Sequence, residues 1–322
     1  MIHIGVIGLG NIAHRFCKSL SYVDDVELTM VASRSREKGE YFKKTYGALQ
    51  WVDNYEELIS SSQIDLVYIA LPHGMHKKYI EKCVLENKAC LCEKPFSTNY
   101  EDTKMLQELA QEHHVFCMEA LKGVFVPGFK KLKQDLEGGV IGEILRIEAN
   151  FESAVPYNEK HYLFSKTQGG ALLDVGIYPL SFCLALINKP IKYVSSEMVL
   201  NQHVDVDDYT NMCLKFDNGP TCFLEVAIDR YRKRIARIVG TNGFIEIENY
   251  YRLNQYTIHK NGESKVVECP YEGDDMTDEI NEVVSCLKNG KIESEVYPMS
   301  MTTHLALLMQ EIKEKAEIFK HD

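Results

Sequence analysis

No basic block and no Arg/Lys stripe occurs in this sequence, whose formal net charge is −11 at pH 7. Nucleic acid and anionic membranes are thereby excluded as partners of the whole molecule, while a small phosphorylated ligand can still bind locally. No apolar run approaches the ~20 residues needed to cross a bilayer. The opening MIHIGVIGLGN reaches glycines and an asparagine too early for a secretory signal, so a cytoplasmic protein is expected. Cys-x-x-Cys is also absent. The ten cysteines are scattered through apolar segments, which reads as small core side chains in a reducing compartment. His73-x-x-His76 has no second ligand pair at zinc spacing nearby, so no metal is expected. No internal repeat or low-complexity segment appears.

What is present is an ordinary globular composition, 45% hydrophobic and 26% charged, in a chain of 322 residues, long enough for two domains. The first third alternates short apolar runs with amphipathic stretches. Strands are predicted at Ile2–Ile7, Val26–Ala32, 65–71, 89–92 and 115–119, and helices at 11–20, 35–46, 76–86 and 100–113. Such alternation implies a doubly wound α/β domain with a parallel sheet covered on both faces, over residues 1–122.

From about residue 123 to 322 the rhythm changes to that of an α+β domain with a mainly antiparallel open sheet. Residues 143–153, 193–200, 207–216, 221–228, 235–240 and 244–248 are strand-like. Asp217-Asn218-Gly219 and Thr241-Asn242-Gly243 are hairpin signals. Helices at 174–188, 277–288 and 300–319 are expected to cover one face of the sheet. The other face, partly apolar through Phe223 and Ala227, becomes a candidate surface for a homodimer.

Gly8-x-Gly10-x-x-Ala13 follows the first strand and opens the first helix. The first glycine permits the tight turn, and the second lets a pyrophosphate reach backbone N–H groups, including those of Asn11 and Ile12. Ala13 packs the helix on the sheet. A dinucleotide is the expected cofactor. At the end of the second strand, where NAD enzymes place a carboxylate for the ribose 2′-OH, the chain reads Ala32-Ser33-Arg34-Ser35-Arg36. Arg34 can fork onto a 2′-phosphate and Ser33 can donate a hydroxyl, so NADP is favoured and NAD remains possible.

Glu93-Lys94-Pro95 lies at the carboxyl edge of the predicted parallel sheet. A Glu-Lys-Pro after such a glycine turn resembles the signature of the glucose–fructose oxidoreductase/inositol dehydrogenase family, and the resemblance extends over essentially the whole chain. Leu71-Pro72-His73-x-x-His76 is similar to the family's turn near the nicotinamide, where Asn is more usual at position 73. Gly169-Gly170-Ala171-Leu172-Leu173-Asp174-Val175-Gly176-Ile177-Tyr178-Pro179 resembles its second active-site segment. With Tyr at 178, the chain looks most like the branch of dimeric dihydrodiol dehydrogenases and NADP-dependent D-xylose dehydrogenases.

The resemblance implies a Rossmann domain, hydride transfer at a carbinol carbon, a homodimer built through the second sheet, and a cis Lys94–Pro95 bond that aims Lys94 at the nicotinamide. It further implies that Glu93 borders the nicotinamide ribose and that Glu119 lies near the cofactor. The chemistry suits the residues. Hydride removal from an alcohol requires loss of the hydroxyl proton. A lysine ammonium can stabilise the developing alkoxide, and a cation nearby favours a phenolate, so Tyr178 is a candidate proton relay. Asp174, four residues earlier, shares a face with Tyr178 if a helix begins there, and could also serve as its N-cap.

One segment departs from the pattern. The dihydrodiol branch reads Glu-Ala-x-Trp-Thr-Arg-Phe-x-Pro, where this chain has Glu119-Ala120-Leu121-Lys122-Gly123-Val124-Phe125-Val126-Pro127. Lys122 replaces an aromatic and Val124 an arginine, which favours a sugar or polyol over an aromatic dihydrodiol. Two alternatives stand beside the dehydrogenase reading. A glycosidase of the same fold would retain NAD tightly, against which Arg34 argues. A cofactor-binding sensor without turnover would not need Lys94, Asp174 and Tyr178.

Overall fold

The computed structural model describes residues 1–320, and backbone contacts divide the chain into two units. The first comprises Met1–Leu121 together with Glu272–Thr303, and the second comprises Lys122–Tyr271 and the residues from His304 onward. The single boundary after residue 122 is therefore corrected, because a later segment returns to the first unit.

The first unit holds strands β1 (Ile2–Ile7), β2 (Val26–Ala32), β3 (Gln50–Val52), β4 (Leu66–Ile69), β5 (Ala89–Glu93) and β6 (Cys117–Ala120). They form one parallel sheet in the order β3-β2-β1-β4-β5-β6. Helices α1 (Asn11–Ser19), α2 (Arg36–Tyr46), α3 (Tyr55–Ser60), α4 (His76–Leu85) and α5 (Tyr100–Glu112) make the connections. All four residues of β4 are buried, as expected of a strand covered on both faces. Short elements escaped the sequence reading: β3 has three residues and α3 six, too few to display a period.

The segment Glu272–Thr303 contains the helix Thr277–Lys288, expected to cover the second sheet. It packs within the first unit instead. Arg15 of α1 donates to Asp274 (2.5 Å) and to Asp275, Lys288 reaches Asp25, and the N–H of Cys117 donates to the carbonyl of Ile292 at 3.3 Å. Ile280, Val283 and Val284 are buried, each such side chain contributing about 1.5–3 kcal/mol. The exposed Lys288–Asp25 pair adds only about 0–1 kcal/mol, so apolar packing holds the segment, and the part-buried Arg15 pairs fix its register. Periodicity names the apolar face of a helix but not the sheet it will cover.

The second unit contains α6 (Pro127–Glu137), β7 (Ile144–Glu152), α7 (Ile177–Leu186), β8 (Ile191–Leu200), β9 (Asp207–Phe216), β10 (Thr221–Ala227), β11 (Ile235–Gly240), β12 (Gly243–Glu248), β13 (Gln255–Lys260) and β14 (Glu263–Glu268). With β15 (Ala316–Lys320) they form a nine-stranded sheet in the order β14-β13-β12-β11-β7-β10-β9-β8-β15. Pairings are antiparallel except β7/β10 and β8/β15. Both expected hairpins form, with Asn218 at φ 46° and Gly243 at φ 154°. The helix expected over 300–319 spans Met299–Lys315, after which β15 pairs with β8 and occupies its otherwise open edge. Among the described residues no helix is long and apolar enough to cross a membrane.

Candidate active site

The glycine turn sits between β1 and α1. Gly8 has φ +88°, and a Cβ there would lie 2.3 Å from the carbonyl oxygen of Ala70, so only glycine fits. A Cβ on Gly10 would meet nothing within 4 Å, which leaves open the approach to the first N–H groups of α1, those of Asn11 and Ile12. Ala13 is fully buried. Whereas α2, α3 and α5 carry side-chain caps and acids in their first turns, α1 has neither. Its N-terminal partial positive charge is thus left for an anion, and the turn fits a pyrophosphate.

At the end of β2, the Ser33 hydroxyl accepts from the Ser35 N–H at 3.1 Å, which leaves its own proton free to donate. Arg34 is exposed and lines a cleft of about 400 Å³ with Asp53, Asn54, Tyr55, Met75 and Tyr79. Burial raises the pKa of the Tyr55 phenol, and the adjacent Arg34 guanidinium opposes that rise. The cleft residues were missed in the sequence. The signal available was Asn54, which caps α3 by accepting from the Glu56 N–H at 2.8 Å.

The turn after β4 and the loop after β5 are bracketed by His76. This residue is fully buried, with Nδ1 2.7 Å from the Pro95 carbonyl oxygen and Nε2 2.7 Å from that of Leu71. Burial lowers its pKa, against the pull of the two carbonyls. His76 therefore ties two loops together rather than presenting a ring nitrogen to a ligand. Pro72 leads into the short turn His73–Met75, and His73 is buried. The Lys94–Pro95 bond is cis.

Glu93 and Glu119 both face protein donors. Glu93 Oε1 accepts from the Tyr68 hydroxyl at 2.5 Å, and the Tyr68 ring stacks on Phe16 with centroids 3.7 Å apart. Glu119, 2% exposed, accepts from the Phe96 N–H at 2.8 Å and from the Tyr297 hydroxyl at 3.3 Å. Burial pushes its carboxyl up to about 7, against hydrogen bonds and the nearby Lys94 charge. Glu119 thereby anchors the segment that follows Lys94.

In the second unit, Asp174 and Tyr178 lie on one continuous helical stretch, a π-helical turn at Leu172–Gly176 running into α7. The helix begins before Asp174, so Asp174 is not its N-cap. Asp207 of β9 supplies that function, accepting from the Leu172 N–H and the Thr210 hydroxyl at 2.7 Å each, while burial pushes its carboxyl up to about 6. Asp174 is buried and accepts from the Tyr162 hydroxyl at 3.2 Å. Tyr178 stacks on Phe151, with centroids 4.6 Å apart and planes at 14°. Lys122 and Val124 are both buried in the turn Lys122–Val124. Among the described residues no group of three or more His, Cys, Asp or Glu could hold a metal ion.

The sequence matches two domain models, an oxidoreductase family NAD-binding Rossmann fold over residues 2–121 and a GFO/IDH/MocA C-terminal domain over residues 129–246. It is 29% identical to scyllo-inositol 2-dehydrogenase (NADP(+)) of Bacillus subtilis, covering 99% of this chain and 98% of that protein. It is 28% identical to mouse trans-1,2-dihydrobenzene-1,2-diol dehydrogenase, covering 96% and 95%. It is also 28% identical to D-xylose 1-dehydrogenase (NADP(+)) of Hypocrea jecorina, covering 95% and 90%. In fold it is similar to a 3-ketoreductase from Actinomadura kijaniata solved with NADP, at a TM-score of 0.91 and 23% identity over 100% and 99% of the two chains. Glycine turn, Lys94 loop and both domain matches agree, and the chain belongs to the GFO/IDH/MocA oxidoreductase family.

Proposed function

We propose that the chain is an NADP-dependent oxidoreductase that transfers a hydride between the nicotinamide and a carbinol or carbonyl carbon of a small polyhydroxylated substrate. The carrying observation is the phosphate cradle of Gly8, Gly10 and the acid-free first turn of α1, combined with a cation rather than a carboxylate at the tip of β2. Relatives named as NADP-dependent inositol and xylose dehydrogenases support the same reading.

Bound NADP supplies the hydride acceptor or donor. The N–H groups at the start of α1 hold its pyrophosphate, and Ser33 with Arg34 holds its 2′-phosphate. Lys94 donates to the substrate oxygen and stabilises negative charge as it develops there. Tyr178 passes the hydroxyl proton, and Asp174 fixes the local hydrogen bonding. Lys122 and Val124, where the dihydrodiol branch has an aromatic residue and an arginine, favour a sugar or polyol as substrate.

The test is NADP and NAD reduction with scyllo-inositol, D-xylose and trans-1,2-dihydrobenzene-1,2-diol. Turnover with NADP on a polyol or aldose is expected. Tight NADP binding without turnover on any of them would favour a sensor, and NAD retained through purification would favour the glycosidase.

We further propose a homodimer formed through the outward face of the second sheet. That face carries Phe223, 44% exposed, among the pairs Arg146–Glu148, Arg232–Glu225 and Arg237–Glu246. It is more highly charged than the sequence suggested. A cytoplasmic location is supported by thiols that remain free, including Cys90 and Cys117 with sulfurs 3.3 Å apart.

A further inference from the structure

We infer that Arg234 is a positioning residue for Tyr178, acting through Phe151 and Tyr251. The inference rests on Tyr178 being the proton relay proposed above. The carbon at the centre of the Arg234 guanidinium lies 4.1 Å from the centroid of Phe151, the ring on which Tyr178 stacks, and 5.5 Å from that of Tyr251. Tyr251 closes the cluster, with its centroid 4.9 Å from Phe151 and 5.5 Å from Tyr178.

The guanidinium is itself held. It donates to the Tyr251 hydroxyl at 2.9 Å, to the Ser153 hydroxyl at 2.8 Å and to the Glu152 carbonyl at 3.5 Å. Asn150 fixes both chain neighbours of Arg234, donating to the Lys233 carbonyl at 3.0 Å and accepting from the Ile235 N–H at 3.1 Å. One flat cation thus joins the end of β7, the entry to β11 and the turn Tyr250–Arg252. Stacked rings alone can slide and tilt. A planar fork bonded to three acceptors fixes the plane of its neighbours, which a lysine ammonium cannot do. Proton transfer from a phenol depends on where its oxygen lies, and a displacement of about 1 Å can cost on the order of 10²-fold in rate.

The test is a double-mutant cycle on steady-state NADP reduction, using whichever of scyllo-inositol, D-xylose and trans-1,2-dihydrobenzene-1,2-diol turns over fastest. Arg234→Met should lower kcat by about 10-fold with KM for NADP changed by less than about twofold. In a Tyr178→Phe background the same substitution should cost nothing further, because the hydroxyl it positions is gone. An equal loss in both backgrounds would overturn the inference. Wild-type turnover by Tyr178→Phe alone would instead overturn the proton-relay reading. Should Arg234→Met fail to fold, Arg234→Lys serves in the same cycle, retaining the charge without the planar fork. A readout independent of turnover is the ¹³C-tyrosine signal of Tyr178, assigned by its loss in Tyr178→Phe. It should shift and broaden in the Arg234 variant, and an unchanged signal would count equally against the inference.

Discussion

The carboxylate of Glu119 accepts the backbone N–H of Phe96, two residues beyond Lys94, from a position that is 2% exposed. Since burial raises this carboxyl to about 7, the native state holds a proton that the unfolded chain releases above about pH 4.5. The stabilisation from that proton is complete below about pH 4.5 and is lost as pH rises through about 7. Glu119→Gln mimics the protonated form and carries no such dependence. Urea unfolding at about pH 5.5 and about pH 8 should show the wild type losing more stability than the variant on going to the higher pH. Parallel losses would show that Glu119 does not titrate in this range.

Cofactor choice should respond to two residues in opposite directions. Arg34→Asp removes a charge-assisted contact of roughly 1.5–3 kcal/mol, so NADP affinity should fall by about 10-fold or more while NAD affinity holds or improves. Asp53 lines the same cleft and is exposed. Its repulsion of a 2′-phosphate is screened by water and salt, so Asp53→Asn should raise NADP affinity only about 2–3-fold at low ionic strength. Fluorescence titration with both cofactors checks each variant. Tighter binding of NAD than of NADP by the wild type would remove the basis for both.

Lys94 and the pyrophosphate cradle should separate chemistry from binding. Lys94→Ala is expected to cut kcat by about 10²-fold or more, with a much smaller change in NADP affinity because Gly8, Gly10 and α1 are untouched. Stopped-flow turnover together with equilibrium cofactor binding would resolve the two. Near-normal turnover in this variant would remove Lys94 from the chemistry and overturn the proposed mechanism.

The association proposed for the second sheet should be salt-dependent, since its outward face is rich in paired charges. Light scattering at micromolar concentration should give twice the chain mass at low salt, with dissociation favoured as salt rises. A monomer under both conditions would rule the interface out.

Much of the first unit was legible because buried parallel strands carry apolar runs and because glycine turns are forced by geometry. Gly8 shows this directly, since a side chain there would collide with Ala70. The site was legible where one residue type is chemically required, as at Lys94 and Arg34. It was not legible where a side chain's partner is distant in sequence. Nothing near Glu119 announces Tyr297, and nothing near Tyr178 announces Phe151 or the Arg234 that contacts it. Likewise the apolar face of Thr277–Lys288 was visible, but the sheet it packs on was not, since the unit that receives it, with Arg15 fixing its register, lies more than 250 residues earlier. Such pairings are settled by packing and have no local pattern.

The return of Glu272–Thr303 to the first unit has a consequence for biosynthesis. During translation the amino-terminal sheet emerges well before its partners Asp274, Asp275, Ile280 and Tyr297. The intervening unit can condense while the first still exposes the surface that these residues will cover. Completion of the nucleotide-binding half therefore waits until Thr303 has left the ribosome, and a transcript truncated at the end of β14 should yield a first half that aggregates rather than binds NADP.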